Sequence, residues 1–184
     1  MCLAFSGRVF VWRGIDERTG AGLFGEMARD VIASRSTEKR QRAEQYREEG
    51  RVFLAKNAQR KNVKTLPSGL QYRVIREGRG KSPKLTDTVT VHYRGTLIGG
   101  REFDSSYRDG EPAQYRVDSV MPGWTEALQR MRVGSLWQLF IPPDMAYRRR
   151  GPLANRTLIY ELELLAVNRE VDQSAAAGGR DGDH

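Results

Sequence analysis

The stretch VTVHYRGTLIGGREFDSSY, residues Val89–Tyr107, decides the fold because strand alternation, a turn and a set of aromatic and acidic residues coincide in it. Its first half alternates apolar and polar side chains at period two, which is the pattern of a strand with one buried and one solvated face. The apolar members are Val89, Val91 and Tyr93. Gly99–Gly100 then supplies the positive φ angles of a two-residue hairpin turn. The returning strand would bring Phe103 and Asp104 back beside Tyr93, so we interpret the stretch as half of a binding pocket.

The composition indicates one globular domain with extensions. The chain has 184 residues, and its 31 Lys and Arg against 23 Asp and Glu give a net charge of +8. This charge brings acidic partners, nucleic acid and anionic membranes into consideration, and by itself it selects none of them. The single cysteine, Cys2, has no partner for an internal disulfide.

No targeting or membrane segment is predicted. No apolar run approaches the roughly 20 residues of a membrane span. The apolar character of the first residues is interrupted by Gly7 and Arg8, so the sequence carries no clear signal peptide. As it stands the sequence indicates a cytoplasmic protein, and a periplasmic address would follow if the amino terminus were incomplete or wrongly assigned.

The chain divides into four predicted parts. Residues 1–37 form a poorly defined N-terminal segment, and residues 38–63 form a connecting helix rich in Lys, Arg, Glu, Gln and Ala, weakened near its middle by Gly50. Residues 64–168 form the globular domain. Residues 169–184 are predicted to be a disordered tail.

Within the domain, several strands and one short helix are predicted. Trp124, Leu128 and Met131 lie at i, i+4 and i+7 and give a helix one apolar face. Alternating residues predict further strands: Leu70, Tyr72 and Val74; Trp137, Leu139 and Ile141; Leu158, Tyr160, Leu162 and Leu164. Periodicity alone therefore predicts an α+β domain with an antiparallel sheet.

Five motifs, in order, closely resemble the FKBP family of peptidyl-prolyl cis-trans isomerases. They are LPSGLQY, FDSSY, PGWTEALQRM, VGSLWQLFIPPDMAY and TLIYELELL, and they look most similar to the bacterial macrophage infectivity potentiator (Mip) branch. The match spans about residues 66–168, and the preceding EEGRVFLAKNAQRKNVK resembles the connecting helix of that branch. The resemblance implies a curved antiparallel sheet of five or six strands wrapped around one short helix, preceded by a long N-terminal helix.

The resemblance also implies an activity and a set of site residues. The catalytic residues carried over by matching position are Asp104, Tyr147, Tyr93 and Trp124, and the substrate-binding residues are Phe103, Val120, Met121 and Tyr160. Trp124 would be the floor under a prolyl ring. The Tyr147 hydroxyl and the backbone N–H of Met121 would each bind a substrate carbonyl, and Asp104 would accept a hydrogen bond from the Tyr93 hydroxyl.

Such a pocket would need neither cofactor nor metal. The twisted transition state of an X-Pro bond loses amide resonance, so its carbonyl is less polar than that of the planar substrate and an apolar pocket favours it. The sequence agrees, since it offers no Cys/His pair and no cluster of metal ligands. His92 is expected to be structural.

The expected partners are proline-containing polypeptides. Macrolide inhibitors are a second expectation from the resemblance, qualified by the short loop Arg148–Arg156, which places Arg148 where the family commonly has glycine. A homodimer through the N-terminal region is a third. A non-catalytic binding module or holdase chaperone using the same pocket is the alternative function. No nucleic-acid partner is expected, because no recognised motif or stacking platform accompanies the positive charge.

Overall fold

The computed structural model describes residues 17–168, with side chains from residue 32 onward. The expected disordered tail at residues 169–184 lies outside the described residues, as do residues 1–16. The helices are α1 (Glu17–Ala58), α2 (Ser106–Asp109) and α3 (Pro122–Leu128), with 3-10 turns at Val117–Ser119 and Pro143–Met145. The strands are β1 (Lys64–Thr65), β2 (Gln71–Arg76), β3 (Thr88–Leu97), β4 (Glu102–Ser105), β5 (Ala113–Arg116), β6 (Leu136–Ile141) and β7 (Leu158–Asn168).

Helix α1 is longer than the sequence predicts. It has 42 residues and begins at Glu17, within the segment expected to be poorly defined, and it ends at Ala58, before the expected residue 63. Its residues belong to two compact units, 1–42 and 43–184. In the first unit every described side chain is exposed, including Ile32. No helix in the described part of the chain is both long and apolar enough to cross a membrane.

In the second unit, residues 43–58 of α1 pack against the sheet domain. The Phe53 ring lies 6.0 Å from that of Phe140 in β6, and the buried Asn57 side chain donates to Gln71 Oε1 at 2.9 Å. Gly50 is buried here, and a Cβ added to it would lie 2.4 Å from Thr157 Oγ1. The helix continues through Gly50, so this glycine allows a close approach between α1 and the chain leading into β7.

The sheet is antiparallel throughout, which confirms the predicted α+β class. Its strand order is β1-β2-β6-β7-β3-β4, and β5 pairs with the first half of β3. The sheet has seven strands instead of the expected five or six. The additional strand is the two-residue β1, which is too short to show a period.

The core lies between the sheet and α3. The alternation predicted for β3 and β7 is confirmed, since Val89, Val91 and Tyr93 are buried opposite polar neighbours and every second residue of β7 from Leu158 to Leu164 is buried. Helix α3 buries Trp124 and Leu128. It ends at Leu128, three residues before Met131, which is nevertheless fully buried.

The hairpin between β3 and β4 differs from the expected two-residue turn. The Leu97 N–H donates to the Arg101 carbonyl at 2.9 Å, so three residues form the turn. Only Gly100 has a positive φ, at 82°, whereas Gly99 does not. This is the geometry of a three-residue hairpin that ends in one left-handed residue. The pairing still places Asp104 opposite Gly95 in β3.

Candidate active site

A cavity of about 240 Å³ opens between α3, the β3–β4 hairpin, β5 and the loop after β6. Four of its lining side chains are aromatic, from Tyr93, Tyr115, Trp124 and Tyr160, and a fifth, Tyr147, lies at the rim. Asp104, Ser119, Val120 and Met121 complete the lining. The cavity is therefore an aromatic chamber with one carboxylate at its wall.

Trp124 is the centre of this chamber. Three tyrosine rings make near-perpendicular pairs with the indole: Tyr160 at 5.1 Å, Tyr93 at 5.2 Å and Tyr115 at 5.8 Å between ring centroids, with interplanar angles of 83°, 74° and 82°. Edge-to-face pairs of this kind are favourable because the positive ring edge meets the negative ring face. The four rings thus fix one another and leave an apolar surface toward the cavity.

The first turn of α3 places Trp124 in this position. Met121 is the residue before the helix, and its carbonyl accepts the N–H groups of Trp124 at 2.9 Å and Thr125 at 3.1 Å. Pro122 follows at the first helical position, where its missing N–H costs nothing. The Thr125 hydroxyl donates to the Val117 carbonyl at 2.8 Å, which ties the helix to the preceding 3-10 turn. This arrangement leaves the backbone N–H of Met121 with no acceptor among the described residues.

The tyrosine hydroxyls form a hydrogen-bonded group on one wall. The Tyr93 hydroxyl donates to Asp104 Oδ2 at 3.1 Å and lies 3.4 Å from the Tyr115 hydroxyl. Burial raises the pKa of Tyr93 well above its ordinary value, and its neighbours Tyr115 and Asp104 raise it further. Burial, and then the nearby Tyr147, likewise raise the pKa of Tyr160. Both hydroxyls are therefore neutral donors at physiological pH.

Asp104 lies on β4 at the mouth of the chamber. Its side chain is 42% exposed, and besides Tyr93 it faces the Arg108 guanidinium of α2 at 3.9 Å. The carboxylate thus has one hydrogen-bond donor, the Tyr93 hydroxyl, and one nearby cation, and it is partly open to solvent. It can meet a ligand while holding the Tyr93 hydroxyl in place.

Tyr147 is the most exposed aromatic residue of the lining. It follows the 3-10 turn Pro143–Met145, where the Arg148 N–H donates back to the Pro143 carbonyl at 2.9 Å. Arg148 has a φ of 51°, in the left-handed region that favours glycine. This conformation accounts for the glycine that the family commonly has at this position. The Tyr147 hydroxyl therefore stands at the rim, where it can reach a bound chain.

Seven of the eight residues predicted for the site line the cavity. Phe103 does not, because its ring packs at 5.6 Å and 90° against Tyr160 and supports that ring from outside the lining. The sequence interpretation missed Tyr115 and Ser119. Tyr115 pairs with Val89 across β5 and β3, and directly paired residues share a face, so the strand register would have indicated Tyr115.

Comparison with known proteins gives consistent matches. Residues 80–165 match the family described as FKBP-type peptidyl-prolyl cis-trans isomerase, and residues 21–74 match the domain amino terminal to FKBP-type peptidyl-prolyl isomerase. The outer membrane protein MIP of Legionella longbeachae is 44% identical over 151 residues, which cover 80% of this chain and 65% of that protein. The peptidyl-prolyl cis-trans isomerase Mip of Coxiella burnetii is 45% identical over 127 residues, covering 67% of this chain and 55% of that protein.

Among solved structures, that of FkpA from Escherichia coli superposes with a TM-score of 0.78 at 38% identity. The superposition covers 84% of this chain and 74% of that one. Of the two Mip relatives, this chain spans 65% of the Legionella protein and 55% of the Coxiella protein.

Proposed function

The chain belongs to the Mip-like branch of the FKBP-type peptidyl-prolyl cis-trans isomerases, and from that premise we propose that it accelerates the rotation of X-Pro bonds in polypeptides. The observation that carries the proposal is the aromatic cavity with Trp124 at its centre and Tyr93, Tyr115 and Tyr160 around it. A prolyl ring is apolar and compact, and this chamber offers it aromatic surface on several sides. We propose residues 64–168 as the isomerase domain.

The chemistry requires only that the twisted amide be favoured. Rotation about a peptide bond has a barrier of roughly 18–20 kcal/mol, and unaided X-Pro isomerisation takes tens to hundreds of seconds. The planar amide is the more polar form, so moving it from water into an aromatic chamber costs it more than the twisted form. The apolar walls thereby lower the barrier without a covalent step.

Polar groups at the rim would orient the substrate. The Tyr147 hydroxyl would donate to one substrate carbonyl, and the unpaired N–H of Met121 to another, which would hold the chain across the Trp124 ring. Asp104 would position Tyr93 through the 3.1 Å hydrogen bond and face the rotating amide. The residue before proline would lie against Val120 and Tyr160, with Phe103 behind, so an apolar residue is favoured there.

A peptide isomerisation assay tests this proposal. Short peptides that differ only in the residue before proline are followed by exchange spectroscopy with the purified chain. We expect isomerisation above the uncatalysed rate, fastest for Leu or Phe before proline. A folded protein that leaves the exchange rate unchanged for every peptide would contradict the activity.

The holdase or binding-module alternative uses the same pocket without turnover. The isomerase is favoured because the site retains the tyrosine hydroxyls and the carboxylate around the aromatic floor, and because the Coxiella burnetii relative is named an isomerase. Macrolides would occupy the same cavity, and Arg148–Arg150 beside it would influence their affinity. A competition assay with a macrolide checks this part.

Assembly and compartment are also proposals. We propose a homodimer through the N-terminal region, since residues 21–74 match the domain that precedes the isomerase in this family and Ile32 in α1 is 66% exposed. Sedimentation of the full chain beside Ile32→Glu tests the dimer.

The outer-membrane name of the Legionella relative supports a periplasmic location, which cell fractionation tests.

A further inference from the structure

A second hollow, of about 640 Å³, lies beside the aromatic cavity. Both are bordered by the loop between β6 and β7: Tyr147 lines the cavity, and the residues that follow it directly line the hollow. The lining of the hollow consists of Arg47, Pro143, Asp144, Arg148, Arg149, Arg150 and Asn155. Four arginines thus face one aspartate.

The protein neutralises only part of the charge in this hollow, since Arg47 lies 3.7 Å from Glu44. The guanidinium groups of Arg149 and Arg150 have no ion-pair or hydrogen-bond partner within the described part of the chain. Some other surface arginines do pair with carboxylates, as Arg94 does with Glu102 at 2.8 Å and Arg130 with Glu126 at 3.2 Å. The hollow therefore presents an excess of positive charge at one edge of the site.

The backbone around these arginines is held in place. The Asn155 N–H donates to the Arg148 carbonyl at 2.6 Å and closes the loop. Arg47 of α1 donates to Asn155 Oδ1 from Nε at 3.0 Å and from Nη2 at 2.8 Å. Because the loop is closed and clamped, the backbone that carries Arg149 and Arg150 needs little reorganisation when an anion binds.

One bound chain would contact both the cavity and the hollow. Consecutive residues line them, Tyr147 in the cavity and Arg148 in the hollow, and an extended polypeptide advances about 3.3–3.6 Å per residue, so residues near a proline held in the cavity would lie against the hollow. Carboxylates match the geometry of guanidinium groups as bidentate acceptors.

We propose that this hollow binds acidic side chains of the substrate, so that the preferred substrates carry Asp or Glu within a few residues of the proline, on one side of it. This inference rests on the proposed isomerase function and deepens it. The aromatic chamber selects the prolyl ring, and the arginine hollow selects the flanking sequence. The preference is electrostatic and weakens with salt.

The test uses peptides with one Leu-Pro core and a Glu-Glu pair before or after it, each beside a peptide with Gln-Gln at the same place. The wild type is compared with Arg149→Gln/Arg150→Gln and with the control Arg60→Gln/Lys61→Gln, which removes two exposed cations from the turn after α1. Isomerisation is measured by exchange spectroscopy at low and high salt, and binding by fluorescence anisotropy of the labelled peptides.

We expect the wild type to prefer Glu over Gln by about 3- to 10-fold at low salt, for one of the two placements only. The ratio falls toward one in Arg149→Gln/Arg150→Gln and at high salt, and it stays at the wild-type value in the control. Equal preference for both placements, or equal loss in the control, overturns the proposal, because the net charge of +8 alone would produce that result.

The two proposals fail in different ways. If no peptide is isomerised, the proposed activity fails, while the anisotropy ratios still decide the acidic preference. Equal affinity of the wild type for Glu and Gln peptides overturns the acidic preference even when isomerisation is fast. Tighter binding of a single-stranded oligonucleotide than of the acidic peptide at this hollow also overturns it.

Discussion

At the residue scale, Trp124 has two roles that can be measured separately: it packs in the core, and it forms the floor of the cavity. It is 4% exposed and contacts three tyrosine rings, and truncating a buried aromatic side chain to alanine costs about 3–5 kcal/mol. We expect Trp124→Ala to lose binding of X-Pro peptides as well as stability. Urea unfolding and peptide binding on the folded fraction measure the two effects.

Trp137 provides the matched control for this prediction. It is 5% exposed and stacks on Tyr72 at 4.4 Å, outside the cavity lining. Trp137→Ala should lose comparable stability and keep peptide binding in the folded fraction. Equal loss of binding in both variants would show that the cavity is not the site.

Tyr147 contributes one hydroxyl at the rim. Removing one neutral hydrogen bond typically costs about 0.5–1.5 kcal/mol, which corresponds to roughly 2- to 12-fold in rate if the bond forms mainly in the transition state. We therefore expect Tyr147→Phe to slow kcat/KM within that range. Complete inactivation of the folded variant would indicate that the hydroxyl takes part in the chemistry itself.

The pH dependence of the rate follows from the buried tyrosines. Burial raises the pKa values of Tyr93 and Tyr160, so both hydroxyls stay protonated across the physiological range, and rotation of an amide moves no proton. We expect kcat/KM to be nearly flat between about pH 6 and 8. A steep bell-shaped profile would require a proton-transfer step instead.

At the element scale, the β3–β4 hairpin positions the site through a glycine. A Cβ added to Gly95 would lie 2.8 Å from both Phe103 Cζ and Tyr160 Cε1. The absence of a side chain at this glycine therefore allows the two aromatic rings to pack directly against β3. We expect Gly95→Ala to cost about 1–3 kcal/mol and to displace the Tyr160 ring from the cavity. The loss of stability should be accompanied by reduced isomerase activity.

Gly99 in the same hairpin is the matched control. A Cβ added there meets nothing within 4 Å, and its φ is not positive. Gly99→Ala should change stability by less than about 0.5 kcal/mol and leave activity as it is. If Gly95→Ala behaves like Gly99→Ala in both measurements, the rings are not constrained as described.

Helix α1 gives a prediction opposite in sign to helix propensity. Alanine is normally about 1 kcal/mol more favourable than glycine inside a helix. At position 50, however, the added Cβ would lie 2.4 Å from Oγ1 of the buried Thr157. We expect Gly50→Ala to lower the urea midpoint, and an increase would contradict the packing described for residues 43–58.

These elements also show why the sequence predicted some features and missed others. The alternation in β3 and β7 arises because each strand buries one face, so the sequence pattern predicts it. The burial of Phe140, on the face of β6 opposite the core, cannot be predicted in this way because it depends on Phe53 in a distant helix. Gly50 was interpreted as a weakness of the helix for the same reason, since its contact with Thr157 is long-range.

At the scale of the whole molecule, family resemblance predicted more of the structure than the pattern of apolar and polar residues did. The resemblance supplied the fold and seven of the residues that line the cavity. The resemblance placed Phe103 in the lining and omitted Tyr115, because a sequence motif does not specify which of several neighbouring rings faces the cavity. The sequence indicates the arginines that follow Tyr147, with Arg148 in place of the glycine common in the family. Arg47 joins the hollow only in the structure, where α1 packs on Asn155.

The central claim is that the aromatic cavity turns over X-Pro bonds instead of only holding proline-containing chains. The most direct measurement is the cis–trans exchange rate of a Leu-Pro peptide, in large excess over the purified chain, for the wild type and Trp124→Ala. We expect an exchange rate that rises in proportion to the concentration of the wild-type protein and that stays near the uncatalysed rate with folded Trp124→Ala. Saturable peptide binding with no faster exchange by the wild type would contradict it and identify the protein as a holdase.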